Sequence, residues 1–520
     1  MVFIRNNLLL IGATVIISFM LTFYAVSVDP IINPDAIIYL SAAEEISSGN
    51  FANAFELYKW PFYSIAIAAF ESTLGVSSQN AAFILNALMQ ALSIIGFLAC
   101  VHALGGSKRT IIIAAVLILL FPSFNKYRSF IIRDAGFLAF YFWSLYHLFL
   151  AVQFDQIKRY IYAFILMFMA MLFRIEAVAI LAIVPAYLMY SNSNSRRSRF
   201  VWLSLTIIGS AILFLGISIW LFGEQSKVNG NGIFSLLLSS MEQLQTSLQF
   251  KLHVIREQLL NEFSLRVAPA VLIISVACIT IYETLRRLAY IFAFFSWHAI
   301  KNQLVLENAK LKNIFFLLCA IQVVLLFLFA LINMFLVSRH TMALTLTILL
   351  LTPFSLEYFF HRWQNRFTIP LGSLKVTIPF FTVVLILLAI DGIDLKTNKL
   401  EMIEAGQWLS EITQENTGIY SNQPLLLHYA GEKPAHYNLK FNWKELDHLL
   451  VTKRIFDFDY VAIMIHDKFN VTRKYLSEHL HTKPSVEKFF GEDNLVLVFD
   501  LRKFKSKNEL FDQRYLKIMH

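Results

Sequence analysis

The chain has 520 residues, 57% of them hydrophobic and 15% charged, with a formal net charge of +9. A soluble globular protein carries about 25% charged residues, so composition excludes a wholly soluble enzyme. Residues 1–394 hold 26 Lys+Arg and 18 Asp+Glu, about 11% charged, whereas residues 395–520 hold 18 and 17, about 28%. These are a membrane domain (1–394) and a water-soluble domain (395–520). The basic excess lies in the membrane domain, where loop orientation accounts for it better than nucleic-acid binding does. The cysteines Cys100, Cys278 and Cys319 fall in apolar stretches, so the soluble domain uses no disulfide. No CxxC or His/Cys cluster suggests a structural metal.

Residues 8–28 form an apolar run longer than a signal-peptide core, with no small-residue cleavage site before Asp29-Pro30, and read as a retained first helix. Further spans fall near 79–104, 110–124, 134–152, 160–173, 175–190, 200–222, 266–288, 313–337, 340–358 and 374–391, about eleven in all. Residues 61–75 are a further short or re-entrant segment. With the N-terminus cytoplasmic, each inside loop is basic: Lys108 and Arg109; Lys158 and Arg159; Arg196, Arg197 and Arg199; Arg286, Arg287, Lys301, Lys310 and Lys312; Arg362 and Arg366. An odd number of spans then places residues 395–520 outside. The expectation is a multi-pass protein of the cytoplasmic membrane with an extracytoplasmic C-terminal domain.

Three outside segments follow. The first is 29–78. The second, 223–265, repeats Leu244, Leu248, Leu252 and Ile255 at helical spacing and predicts an amphipathic helix on the outer leaflet. The third is the tail, where Glu401–Thr413 reads as a helix and Gly418–Ser421, Tyr460–Ile465 and Leu495–Leu501 as strands, so a small α/β domain is expected.

Candidate chemistry concentrates where charges meet the membrane. Asp35 follows the first span inside a Pro-containing turn, where partial desolvation would suit a carboxylate to act as a base. The alternative is that it only N-caps a helix over Ala36–Ser47. Lys126, Arg128 and Arg133 stand in an outside loop against the inside preference, next to Asp134. A phosphate would explain them, because arginine grips it through two donors; an internal Arg–Asp pair or snorkelling to headgroups would also. Arg174 and Glu176 lie inside an apolar region, where ionisable groups are functional or paired with each other. Arg339-His340, at the outer end of another span, is a second phosphate contact or a surface pair.

In this order, the motifs resemble the polytopic GT-C glycosyltransferases, in particular the group with protein O-mannosyltransferases and the lipid A aminoarabinose transferase. Asp35 and Tyr39 match an acidic residue and a tyrosine after the first helix. Lys59-Trp60-Pro61 loosely matches a Lys-Pro-Pro segment. Asp134 matches an aspartate opening the fourth helix, Arg174-Ile175-Glu176 an Arg-x-Glu, and Arg339-His340 an Arg-Tyr-like step. In the tail, Ala405–Trp408, Ile419-Tyr420-Ser421-Asn422 and His428-Tyr429-Ala430-Gly431 are similar too. The departures are Phe62 in place of a second proline, and Tyr58 where some relatives carry a metal-binding glutamate.

The resemblance implies a GT-C-like helical membrane domain. The implied donor is a polyprenyl-phosphate-linked sugar lying among membrane lipids, and the acceptor a hydroxyl of a lipid, glycan or protein. Transfer inverts the sugar. Asp35 is then the general base and Asp134 its helper. Tyr39, Lys59, Arg128, Arg133, Arg174, Glu176, Arg339 and His340 bind substrate. No cofactor is certain, and a divalent metal is possible although Tyr58 departs from the pattern. A transporter or flippase competes, but would show inverted repeats and Gly/Pro-broken helix pairs. So does a non-catalytic membrane assembly subunit, which only activity distinguishes. A reporter fused after His520 is expected to be extracytoplasmic; a cytoplasmic signal would overturn the span count.

Overall fold

The computed structural model describes residues 2–29, 31–191, 233–365, 400–413, 417–431, 443–466, 470–480, 482, 484, 486–490 and 494–503. Its helices are α1 (Val2–Asn6), α2 (Leu8–Val28), α3 (Pro34–Ser47), α4 (Phe51–Leu57), α5 (Phe62–Leu74), α6 (Ser78–Ala103), α7 (Lys108–Leu120), α8 (Pro122–Asn125), α9 (Asp134–Phe154), α10 (Ile157–Phe173), α11 (Val178–Ser191), α12 (Ile233–Val254), α13 (Ala268–Arg287), α14 (Ile291–Lys301), α15 (Ala309–Asn333), α16 (Ser338–Leu349), α17 (Thr352–Asn365), α18 (Leu400–Ile412), α19 (Pro424–Tyr429), α20 (Trp443–Val451) and α21 (Asn470–His479). Strands β1 (Ile419–Ser421), β2 (Tyr460–His466), β3 (Val486–Phe490) and β4 (Asn494–Asp500) all lie in the tail.

Among the described residues, five helical segments are long and apolar enough to cross a bilayer: Leu8–Val28, Ser78–Ala103, Asp134–Phe154, Glu262–Arg287 and Ala309–Asn333. The pair α16 and α17, bent by 42°, makes a sixth if counted as one span. The spans expected near 110–124, 160–173 and 175–190 are shorter helices of 13, 17 and 14 residues. Those expected at 200–222 and 374–391 lie outside the described residues. The short apolar segment near 61–75 is α5, closed by Gly75 at φ +65°.

Contacts divide the chain into two compact units. One holds residues 1–23, 84–128 and 133–394; the other holds 24–83, 129–132 and 395–520. Residues 24–83 and 395–520 fall in the same unit.

In the first unit, the part of α2 that belongs to it leaves Leu9, Ile16 and Met20 exposed, as lipid-facing residues are, and turns Ile11, Thr14, Ser18 and Thr22 inward. α9 packs along α10. Glu357 of α17 accepts hydrogen bonds from Ser107 and Thr110, which also cap the start of α7. The helix expected on the outer leaflet is α12. The periodicity was real, but its Leu248 and Leu252, with Ile255 just beyond, pack onto Leu272 and Val276 of α13, Leu326 and Ala330 of α15 and Leu344 of α16. A face shaped for protein reads like one shaped for lipid, because both are apolar at helical spacing. Lys251 crosses to the last carbonyls of α15, donating to Leu331 O at 2.7 Å and also to Ile332 O.

In the second unit, the tail forms a four-stranded sheet ordered β1-β2-β4-β3, with β1–β2 parallel and the other pairs antiparallel. Alternation along β2 and β4 sends Val461, Ile463, Ile465, Leu495, Leu497 and Phe499 to one face. There they meet Leu446 and Leu450 of α20 and Leu476 of α21. Truncating Leu497 to Ala should destabilise the tail by about 2–5 kcal/mol. Limited proteolysis of the full chain would show the tail cut first; wild-type resistance would contradict that core.

Candidate active site

The first unit gathers its charges at a helix break. α10 ends at Phe173, Arg174 takes extended angles (φ −137°, ψ 113°), and a 3-10 turn over Ile175–Ala177 restarts the chain as α11. The break points Arg174 at α9. Its Nη1 meets Asp134 Oδ1 at 2.5 Å and its Nη2 meets Glu176 Oε1 at 3.1 Å. Asp134 opens α9, where the helix dipole favours a carboxylate. Gly136 makes the approach possible: a Cβ there would lie 2.2 Å from the Phe173 ring, so the ring rests on the bare backbone of α9 one residue before Arg174. The guanidinium also lies over the Phe137 ring, 5.6 Å from its centroid.

Two more arginines act on this cluster. Arg133 bears electrostatically on Glu176, and Arg339 on His340. His340 sits in the first turn of α16, where Val337 N–H donates to its Nδ1 at 3.4 Å and its ring packs 4.1 Å from Phe329. The Tyr127 hydroxyl ties the loop before α9 to the start of α16, 2.5 Å from Ser338 Oγ and accepting from Arg339 N–H at 3.2 Å. Six residues singled out in the sequence, Arg133, Asp134, Arg174, Glu176, Arg339 and His340, thus form one group. The group holds three arginines and two carboxylates, a local excess of positive charge. Arg174, Glu176 and His340 border a partly open cavity whose other walls include Phe137, Leu326 and Phe329. Charged groups beside apolar walls suit an amphiphile with a charged head.

Sequence reasoning missed Gln322, which also lines this cavity. It is buried midway along α15. Its Nε2 donates to Tyr141 Oη at 2.8 Å and to Leu318 O at 3.3 Å; Tyr141 lies 2.8 Å from Thr347 Oγ1, which donates to Ala343 O at 2.7 Å. The acceptor-only carbonyl at the end sets the direction of this chain. A glutamine inside an apolar 25-residue helix was a legible signal.

Arg128 turns inward. It is 2% exposed, and its guanidinium donates to Ser18 O (2.9 Å), Ser18 Oγ (3.1 Å), Thr22 Oγ1 (2.8 Å) and Asn125 Oδ1 (2.8 Å). It pins the loop after α8 to the polar stripe of α2.

Asp35, Tyr39 and Lys59 belong to the second unit. Asp35 is not an N-cap. The helix begins one residue earlier, at Pro34, which suits a first helical position because it has no N–H to lose. Asp35 is half-buried in that first turn, where the dipole again favours a carboxylate. Asn33, at the cap position, makes no cap and accepts from Ile131 N–H at 2.8 Å. Buried Tyr39, one turn on, stands edge-on to Tyr58 and Tyr63 at 5.1 and 5.2 Å. Lys59 is exposed beside Tyr58. Among the described residues, no group of three or more His, Cys, Asp or Glu side chains is placed to hold a metal, so no step is routed through one.

Residues 58–220 match the family model described as dolichyl-phosphate-mannose-protein mannosyltransferase. None of the curated proteins compared with the chain matches it. Among solved structures, the chain is similar to the Archaeoglobus fulgidus oligosaccharyltransferase tethered to an acceptor peptide with an NVT sequon. The TM-score is 0.54 at 10% identity, covering 89% of this chain and 70% of that one. The apo form of that oligosaccharyltransferase gives a TM-score of 0.51 at 12% identity, covering 92% and 71%. The chain has the GT-C glycosyltransferase fold. In this chain Phe173 packs on Gly136 beside the charged group. Gly136→Ala should cost about 1–3 kcal/mol through overpacking, read as a lower melting temperature in detergent, and Phe173→Leu in the same chain should recover most of it. Wild-type melting of Gly136→Ala would contradict the close approach.

Proposed function

We propose that this membrane protein is an inverting glycosyltransferase. It moves a sugar from a polyprenyl-phosphate carrier to a hydroxyl of a lipid, glycan or protein at the outer face of the cytoplasmic membrane. The observation that carries the reading is the charged group around Arg174, which reaches an apolar-walled cavity through Arg174, Glu176 and His340. A carrier lipid presents both chemistries at once, a phosphate head and an isoprenoid tail, and the GT-C fold supports the same class of reaction.

The acceptor hydroxyl gives its proton to the Asp35 carboxylate as its oxygen bonds to the anomeric carbon. The bond from that carbon to the phosphate oxygen breaks on the opposite side, and polyprenyl phosphate departs as an anion. A phosphate leaving group needs no strong acid; it needs cations already in place. Arg174 binds Asp134 and Glu176, so it organises the group, and the positive charge of Arg133, Arg174 and Arg339 together stabilises the departing phosphate. Asp134 holds Arg174 in place. Tyr39, one turn beyond the base on α3, and Lys59 belong to the same unit as Asp35, and His340 lines the cavity. Arg128 serves the loop's fold, since its guanidinium is enclosed.

Mass spectrometry of glycolipids and glycoproteins from cells with and without the gene tests this directly. One modified species should disappear with the gene. It should stay absent with Asp35→Asn, although that variant is made and inserted normally, and Arg339→Ala should lower turnover by about 100-fold. An unchanged glycan profile on deletion would refute transfer, and full product from Asp35→Asn would remove it as the base.

A further inference from the structure

The turn that carries Asp35 is held by the tail. α19 starts on Pro424 and is stopped by Gly431 at φ +79°, so Tyr429 is its last residue. The Tyr429 hydroxyl accepts a hydrogen bond from Ile32 N–H at 3.3 Å. Ile32 is fully buried and lies three residues before Asp35, so water cannot readily replace that partner. α19 also packs directly on α3. The position of Tyr429 is itself constrained by α18, where a Cβ on Gly406 would lie 2.5 Å from Tyr429 Cβ. Burial raises the phenol above its ordinary pKa. On its other side the same turn is tied through Asn33 to Ile131 N–H.

We infer that Tyr429 is a positioning residue: through its hydrogen bond with Ile32, the α18–α19 pair of the tail sets the place of the Asp35 carboxylate. The tail is then part of the catalytic apparatus and not only a covering or an acceptor platform. This rests on Asp35 being the base. It also gives a common reason for two tail segments that resembled relatives separately, Ala405–Trp408 and His428–Gly431. Gly406 lies in the first and Tyr429 in the second, and they meet at one contact.

The test is hydrogen exchange on the full chain in lipid nanodiscs, together with the product measured by mass spectrometry per folded molecule. In Tyr429→Phe, amides of residues 31–38 should exchange about 10-fold faster while those of β2 and β4 stay at wild-type rates, because one local hydrogen bond is lost. Product should fall about 10-fold, short of the complete loss expected for Asp35→Asn. Gly406→Ala keeps the hydroxyl but displaces it, and should give the same local pattern. Tyr475→Phe, which removes a hydroxyl bonded to Asp447 elsewhere in the tail, should change neither readout. Unchanged exchange at 31–38, faster exchange spread through β2 and β4, or full product from Tyr429→Phe would each overturn the inference. Full product from Asp35→Asn would instead refute the base assignment, and leaves the exchange result to decide the contact by itself.

Discussion

A guanidinium and a carboxylate inside an apolar helix bundle, with a second, partly exposed carboxylate beside them, persist only as a set. Removing either ion from water costs several kcal/mol, which their attraction offsets only in good geometry. Arg174, Asp134 and Glu176 meet that condition because α10 breaks where it does. If the helix continued through residue 174, the side chain would turn along α10. The break, the bare backbone at Gly136 and the start of α9 at Asp134 are therefore parts of one arrangement. The phosphate site proposed here depends on it, since Arg133, Arg339 and His340 gather around this pair.

Much of this group was legible in the sequence. Charges in apolar runs are few and costly, so Arg174, Glu176, Asp134 and Arg339-His340 stood out before any fold was known. That they meet was not legible, because Asp134 and Arg174 are 40 residues apart and the glycine that lets them approach looks like any other. Gln322 could have been found by the same rule and was overlooked. Arg128 obeyed the rule but turned to hydroxyls of α2, a choice that depends on which helices are neighbours.

Periodicity revealed that residues 244–255 have an apolar face, without saying whether lipid or protein covers it. The tail's alternating strands were readable, whereas β3 (Val486–Phe490) escaped because two charges interrupt its apolar residues. Asn33 and Asp35 are both good cap residues, and Pro34 between them was the clue to the true start of the helix. The grouping of the tail with residues 24–83 was out of reach, since Ile32 and Tyr429 are 397 positions apart.

The decisive measurement is a double-mutant cycle on the buried pair, with Asp134→Asn, Arg174→Gln and both together, read as the unfolding free energy of the purified full chain. Arg174→Gln strands the buried Asp134, and Asp134→Asn leaves Arg174 with Glu176 alone, so each should cost up to about 3–5 kcal/mol, while the double change should cost little more than the larger of the two, a coupling above about 1 kcal/mol. Costs that add to within about 0.5 kcal/mol would contradict the account, because the two groups would not then be holding each other at the helix break.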